Sequence, residues 1–392
     1  MKLVVIASHP IQYYAPWFRW IHQNTDVQLH VLYLWNPSGT HAIDPSFGQP
    51  ISWDVDLLSG YPYMFLRNTS PNPGTHHFNG LRNPELIDYL QRLRPDAILF
   101  TTLFQSSLLR HLLLQYFPSV PKLFRGDSHW LGREESFFHP RHLLKRWVYR
   151  QFEAILTVGE ANRLYYRRLG IPANRLFHSP HAVDNQRFQG DTEELQLRAS
   201  DLRHSLGIPP ESLVFLFVGK LTAGKNPLSI LRAFQQSQRA ENSTTPAHLI
   251  FCGTGDIELE LKQLSASHPR IHFLGFQNQQ QMPVIYRAAN LLLLPTAETW
   301  GLSVNEAFAC GCPALVSTRT GCAEDLIHPY KTGLLVRHDS ESDLTGALQW
   351  AQEHPEHLRA MGLAAYHKIQ EYSYERATLG LLQALNALGT QQ

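Results

Sequence analysis

The chain has 392 residues, enough for two or three domains, and its 43% hydrophobic content supports sizeable cores and excludes wholesale disorder. A formal net charge of +1 supplies no global attraction to nucleic acid. Four cysteines without a secretory signal point to a reducing, cytoplasmic compartment, and no run of eighteen apolar residues offers a spanning helix.

The opening "MKLVVIASHP" is too short an apolar run for a signal h-region and is predicted to be the first strand, over residues 2–7. Further β-rich runs follow at 27–34, 97–100, 122–125 and 154–158. Helical spacing falls between them at "APWFRWIHQ", "NPELIDYLQRL", "SSLLRHLLLQYF" and "EANRLYYRRLG". Residues 36–80 are rich in Pro, Gly, Asn and Ser and are predicted to be loops with short strands. A polar stretch near 185–212 carries no strand and marks a break. Strands resume at 213–218, 248–252, 271–275, 291–295, 313–317 and 333–336, with helices between them. The tail, 372–389, is an amphipathic helix. Strands alternating with helices imply an α/β fold of two doubly wound, Rossmann-like units. No internal repeat or low-complexity segment stands out, and the 21 histidines are scattered without metal-ligand spacing.

Ligands of open α/β sheets bind beyond the carboxyl ends of strands. Glu298 lies just past the predicted strand 291–295, in "ETWGLSVNEAFACG". Gly301 permits a tight turn, and Ser303-x-x-Glu306 has the pattern of a capping box, which by itself accounts for Glu306. The same helix start also offers free N–H groups to an anion.

A second loop, "VGKLTAGKNP" (218–227), follows the first strand of the second half. Gly219 and Gly224 bracket Lys220 and Lys225; Asn226 suits an N-cap and Pro227 the first helical position. Two cations beside a helix start form a diphosphate cradle, unless the loop is merely solvated. Neither GxxxxGK[ST] nor GxGxxG is present, so an NTPase or dinucleotide redox site is unsupported.

Together, E-x-W-G-L-x-x-x-E followed by "ACGCP", the lysine loop, "FLGF" leading to "YRAANLLLLPT", and "SPHAVDNQRF" resemble retaining family-four glycosyltransferases, in family order over roughly 150–385. The resemblance implies the GT-B architecture, two Rossmann-like domains facing across a cleft. It places an acceptor-side domain at 1–190, a nucleotide-sugar donor domain at 191–371, and a C-terminal helix, 372–392, crossing back toward the first. It also implies roles. Lys220 and Lys225 hold the departing diphosphate. Glu298 accepts from hydroxyls of the transferred sugar, and Glu306 from the ribose. Backbone N–H groups at Trp300, Gly301 and Leu302 meet sugar and phosphates, and Gly219 belongs to the same loop site. The base rests near Gly275 and Phe276. Neither a metal nor another cofactor is implied, with the nucleotide sugar as co-substrate, and the sugar moves with retention of configuration to a glycan, glycolipid or small molecule.

The first half departs from the family. Many relatives carry a glycine pair after the first strand, whereas this chain has "SHPIQYYAPWF". His9 and Gln12 there either meet acceptor or phosphate or simply build a rigid loop. In "FRGDSHW" (124–130), His129 resembles the histidine that touches the donor sugar, with Asp127 second; turn and surface roles are the alternative. Cys310, Cys312 and Cys322 are expected to be structural. The stretch 139–152 places Leu143, Leu144, Trp147, Val148 and Phe152 on one face, with Arg141, Lys145, Arg146 and Arg150 supplying charge. Burial of that face against a sheet is preferred, and peripheral contact with the inner membrane face is the alternative. Rival functions are a GT-B sugar-nucleotide epimerase and a non-catalytic nucleotide-sugar-binding or membrane-surface protein.

Overall fold

The computed structural model describes residues 1–37, 53–117, 119–132, 140–238 and 245–389, with backbone alone at 140 and 141. Residues 38–52 of the expected loop stretch, His139, and the Arg141 side chain lie outside the described part. The chain divides into two compact units. The first takes the described residues of 1–42, 56–181 and 374–392; the second takes those of 43–55 and 182–373. The divisions thus fall at 181/182 and 373/374 rather than at 190/191 and 371/372, and residues 53–55 join the second unit rather than the first.

In the first unit the strands are β1 (Lys2–Ala7), β2 (Gln28–Tyr33), β3 (Tyr63–Phe65), β4 (Ala97–Phe100), β5 (Lys122–Arg125), β6 (Ala154–Thr157) and β7 (Leu176–His178). They form one sheet in the order β3-β2-β1-β4-β5-β6-β7, parallel at every pairing. Period-2 alternation divides the strand side chains between two cores. Val4, Ile6, Ile98 and Phe100 enter one; Leu3, Val5, Ala97 and Leu99 enter the other. The second core also receives Ala377, Leu381, Ala384 and Leu385 from the helix Tyr374–Gly389. That helix is tied in by a bond from the Trp17 indole to the Thr378 hydroxyl at 2.9 Å and one from the Ser179 hydroxyl to the Ala377 carbonyl at 2.7 Å.

The second unit contains β8 (Leu213–Val218), β9 (Ala247–Cys252), β10 (Ile271–Gly275), β11 (Leu291–Leu294), β12 (Ala314–Ser317) and β13 (Gly333–Val336). Their order is β10-β9-β8-β11-β12-β13, again all parallel. β8, β9, β11 and β12 are buried almost throughout, as a sheet covered by helices on both faces requires. The polar stretch 185–212 is not a linker: it holds the helix Thr192–Ser205, whose first N–H groups are capped by Asp191. This helix buries Ala199 against Val284 and Ala288.

Candidate functional site

In the second unit the strand order reverses between β8 and β11, which lie side by side. Loops leaving two such strands diverge to opposite faces and open a crevice at the carboxyl ends, the customary place for ligands in these sheets. The lysine loop leaves β8 and the acid loop leaves β11, so both sequence-predicted segments meet at this point. Lys225 and Glu298, 73 positions apart, form an ion pair, with the lysine about one-third and the acid about one-fifth exposed. Glu298 also accepts from the Thr296 hydroxyl at 3.0 Å.

The floor of the site is main chain. Gly219 N–H donates to Cys252 O at 3.0 Å, and Leu221 N–H to Thr254 O at 2.9 Å, joining the loops after β8 and β9. Gly253 N–H donates to Gly275 O at 2.8 Å and brings in the loop after β10. A β-carbon at Gly253 would lie 1.9 Å from Gly219 O, so only glycine allows this approach. On the other side, Gly321 N–H reaches Glu298 O at 2.9 Å and Cys322 N–H reaches Trp300 O at 3.0 Å. Gly253 and Gly255 were missed as site residues. The readable signal is the pair of glycines immediately after the predicted strand 248–252.

The two helix starts are built differently from the expectations. Pro227 does open the helix Pro227–Ser237, but Asn226 is left-handed and its side chain makes no capping bond to the backbone; its oxygen accepts from the Ser229 hydroxyl at 2.8 Å. The helix Leu302–Ala309 has Gly301 at its N-cap, with φ 103° and no side-chain cap. The Ser303–Glu306 capping box is therefore overturned. Once Gly301 takes the cap position, Glu306 lies a full turn inside the helix, where it can no longer reach the cap N–H. The residue is 2% exposed, and its carboxylate accepts from the Tyr286 hydroxyl at 2.7 Å. Burial first, and the Glu306 charge second, push the Cys252 thiol at the end of β9 up to about 12.

Trp300 is buried, with its indole donating to Asn305 at 2.8 Å and its ring 6.0 Å from Tyr372, so its side chain anchors the turn. Leu302 is the first helical residue, and Lys220 is partly buried on the β8 loop. Phe276 follows β10; the Trp53 ring stands 6.4 Å from it, and Gln280 N–H donates to the Asp54 carboxylate at 3.1 Å. Nothing in the sequence near Trp53 signals that placement. All four cysteines are buried free thiols. Among the described residues no cluster of three or more His, Cys, Asp or Glu could hold a metal ion.

The first unit also reverses strand order, between β1 and β4. His9 and Gln12 are on the loop after β1, both partly buried; His9 contacts the Ser8 hydroxyl at 3.1 Å, and its ring centroid lies 5.6 Å from that of Trp35. Asp127 and His129 are on the loop after β5. His129 Nδ1 accepts from Leu131 N–H at 3.1 Å, which leaves the proton of a neutral ring on Nε2. Asp127 stands 3.8 Å from buried His181, whose basicity burial lowers. Arg125, ending β5, is buried beneath this loop, donates to the carbonyls of Ser179 and Pro180, and lies over the Trp17 ring.

The predicted basic helix is Pro140–Arg150. Its apolar residues do not share one face. Val148, Tyr149 and Phe152 enter the core, whereas Leu143, Leu144 and Trp147 are 53%, 49% and 38% exposed. Buried Val148 lies five positions, about 140° around the helix, from exposed Leu143, and the sheet covers one stripe only.

Two parallel sheets with this order and these helices define the GT-B glycosyltransferase fold. Solved structures with it align over nearly the whole chain. The Anabaena protein HepE, solved with UDP, gives a TM-score of 0.73 at 15% identity, covering 99% of this chain and 100% of its own. Sucrose-phosphate synthase from Thermosynechococcus elongatus gives 0.72 at 19% identity, covering 100% of both chains. In sequence, residues 199–368 match the glycosyl transferases group 1 family. D-inositol 3-phosphate glycosyltransferase of Rhodococcus opacus (strain B4) is 28% identical over 237 residues, 58% of this chain and 51% of its own length. That of Corynebacterium jeikeium (strain K411) is 34% identical over 178 residues, 43% of this chain and 41% of its own. The chain thus spans about half the length, or less, of these curated relatives.

Proposed function

We propose that this protein transfers a sugar, of hexose type, from a nucleotide-sugar donor to a glycan, glycolipid or small-molecule acceptor, with retention of configuration and without a metal ion. The observation that carries the reading is the Lys225–Glu298 pair at the β8/β11 reversal, flanked by two helix starts. A departing diphosphate is dianionic or more, and its charge grows as the anomeric carbon becomes oxocarbenium-like. Preorganised cations and N–H groups aimed at that charge lower the barrier. Lys220, Lys225 and the backbone at Gly219, Trp300, Gly301 and Leu302 supply them. Glu298 accepts from the sugar, Glu306 from the ribose, and the base rests against Phe276. The leaving phosphate helps deprotonate the acceptor. In the first unit we assign the loops after β1 and β5 to the acceptor and phosphate, through His9, Gln12 and Asp127, and to the chemistry through His129.

HepE was solved with UDP, so uridine nucleotides are the first probes, with GDP and ADP beside them. A ligand that binds only the native state raises the melting temperature. One nucleoside diphosphate should raise it by several degrees, and Lys225→Ala should abolish both that shift and transfer. An epimer made from donor alone would replace transfer with epimerisation. No shift with any nucleotide, from a folded protein, would favour a scaffold or membrane-surface role.

A second reading concerns location. The exposed Leu143, Leu144 and Trp147 lie on a helix that also carries Lys145, Arg146 and Arg150, and Leu144 lines an apolar groove with Phe78, Leu113, Leu114 and Arg110. We assign this surface to peripheral contact with an anionic bilayer. Among the described residues no helix is long and apolar enough to cross a membrane.

A further inference from the structure

β10 is an edge strand paired with β9, and its register shifts between Phe273 and Gly275. Side chains therefore carry part of this junction. Period-2 alternation puts one ring pair on each face of the two strands. On the face of the core that holds Leu249, Phe251 and Phe273 stack with centroids 5.3 Å apart. On the opposite face stand His248, 6% exposed, and half-buried His272. Their rings lie 15° from parallel with centroids 5.2 Å apart, and His248 Nδ1 is 3.0 Å from His272 Nε2. A neutral imidazole has one donor and one acceptor nitrogen, so this contact holds a single proton between two rings. A first added proton leaves that bond intact but introduces a charge. Among the described residues, the groups that act on the pair are Arg270 just before β10, Arg203 on the helix Thr192–Ser205, and His268. Arg203 donates to Ala288 O at 2.8 Å and to Asn290 Oδ1 at 2.6 Å, which holds its charge in place. All three groups are basic and oppose the added charge. A second proton puts an N–H on both facing nitrogens and breaks the contact.

We propose that the His248–His272 pair is an acid-sensitive latch of the second unit. Neutral, it ties the edge strand β10 to β9; protonated, it releases that strand and the loop that begins at Phe276. The inference stands on this pair and does not depend on the nucleotide-sugar reading. Burial lowers the basicity of both rings below the ordinary value near 6.5; for His248, the adjoining His272 and the two arginines add to it and bring the ring to about 4. The folded chain thus takes up these protons less readily than the unfolded one. The stability the pair contributes is complete above about pH 6.5 and is lost as pH falls from there toward about 4.

The test measures amide hydrogen-exchange protection along the full chain between about pH 7.5 and about pH 4.5, which gives an opening constant strand by strand. Wild type is compared with His272→Gln and His248→Gln. Glutamine keeps a neutral donor and acceptor but has no proton to gain. The readout is the change with pH, which a fixed loss of packing does not move. Each proton taken up on opening raises the opening constant by up to about tenfold per pH unit. Between about pH 6.5 and about pH 4.5 the β10 constant should therefore rise about tenfold more in wild type than in His272→Gln. In wild type β10 should also lose protection ahead of β8 and β11, and in the variant together with them. If His248→Gln, the more buried change, does not fold, His272→Gln decides alone. The same pH dependence in wild type and His272→Gln overturns the latch. So does a wild-type β10 that loses protection only together with the whole sheet.

Discussion

At Gly253 a hydrogen atom in place of a side chain lets two loops of the site touch. An alanine β-carbon there would meet the Gly219 carbonyl, while one at Gly224, on the neighbouring loop, would meet nothing within 4 Å. Gly253→Ala is expected to lower stability by roughly 2–3 kcal/mol, and Gly224→Ala by well under half of that. Denaturant melts of the two variants check this; equal losses would remove Gly253 from the site floor. At this scale the sequence was only partly legible. Lys225 and Glu298 stand in recognisable loops, and their spacing past strands placed them at strand ends. The partners chosen by Asn226 and Glu306 were not legible, because Ser229 and Tyr286 compete with backbone N–H groups in ways that spacing does not reveal. Gly301 displaced the Ser303 cap for the same reason: a left-handed turn moved the helix start.

Among the elements, the helix Pro140–Arg150 is the one whose surroundings departed most from expectation. Its three exposed apolar residues and its basic residues suit an anionic surface, to which each nearby cation contributes about 1 kcal/mol. The protein is expected to sediment with vesicles of phosphatidylcholine and phosphatidylglycerol, less so at high salt, and weakly with phosphatidylcholine alone. Leu144→Glu with Trp147→Glu should release it. Failure of the wild-type protein to sediment with either vesicle would end the membrane reading. Most strands were readable because four to six consecutive apolar residues between helices admit one interpretation in a parallel sheet. The edge strands β3 and β7 have three residues each, too few to show a pattern. The helix Thr192–Ser205 was hidden by its composition: Ala199 is its one fully buried residue, so no apolar stripe marks it.

For the whole molecule, the two-unit organisation was legible from the repeated alternation of elements, but the membership of segments was not. Periodicity says that 374–389 is a helix with an apolar face; it does not say which core receives that face. Here it is the core that holds β1, β4, β5 and β6. Removing residues 374–389 takes away the buried Leu381 and Leu385, each worth about 1.5–3 kcal/mol of burial, and uncovers the face of the sheet they pack against. The shortened chain is expected to lose hydrogen-exchange protection in β1 and β4–β7 while β8–β13 stay protected. Uniform loss across both sheets would show that the units fold as one.

That membership bears on how the protein is made. Domains ordinarily mature in the order in which the ribosome delivers them, at about 5–20 residues per second. The first unit breaks this order: its strands emerge early, yet the helix that closes one of its cores is translated only after the whole of 182–373. For roughly ten to forty seconds a nascent chain carries that sheet with Leu3, Val5 and Leu99 lacking their final cover. The later unit has all its described elements by residue 373 and so completes itself first. The interval leaves an apolar surface for a chaperone to guard, and puts the control of yield in the closing helix rather than in the sheet.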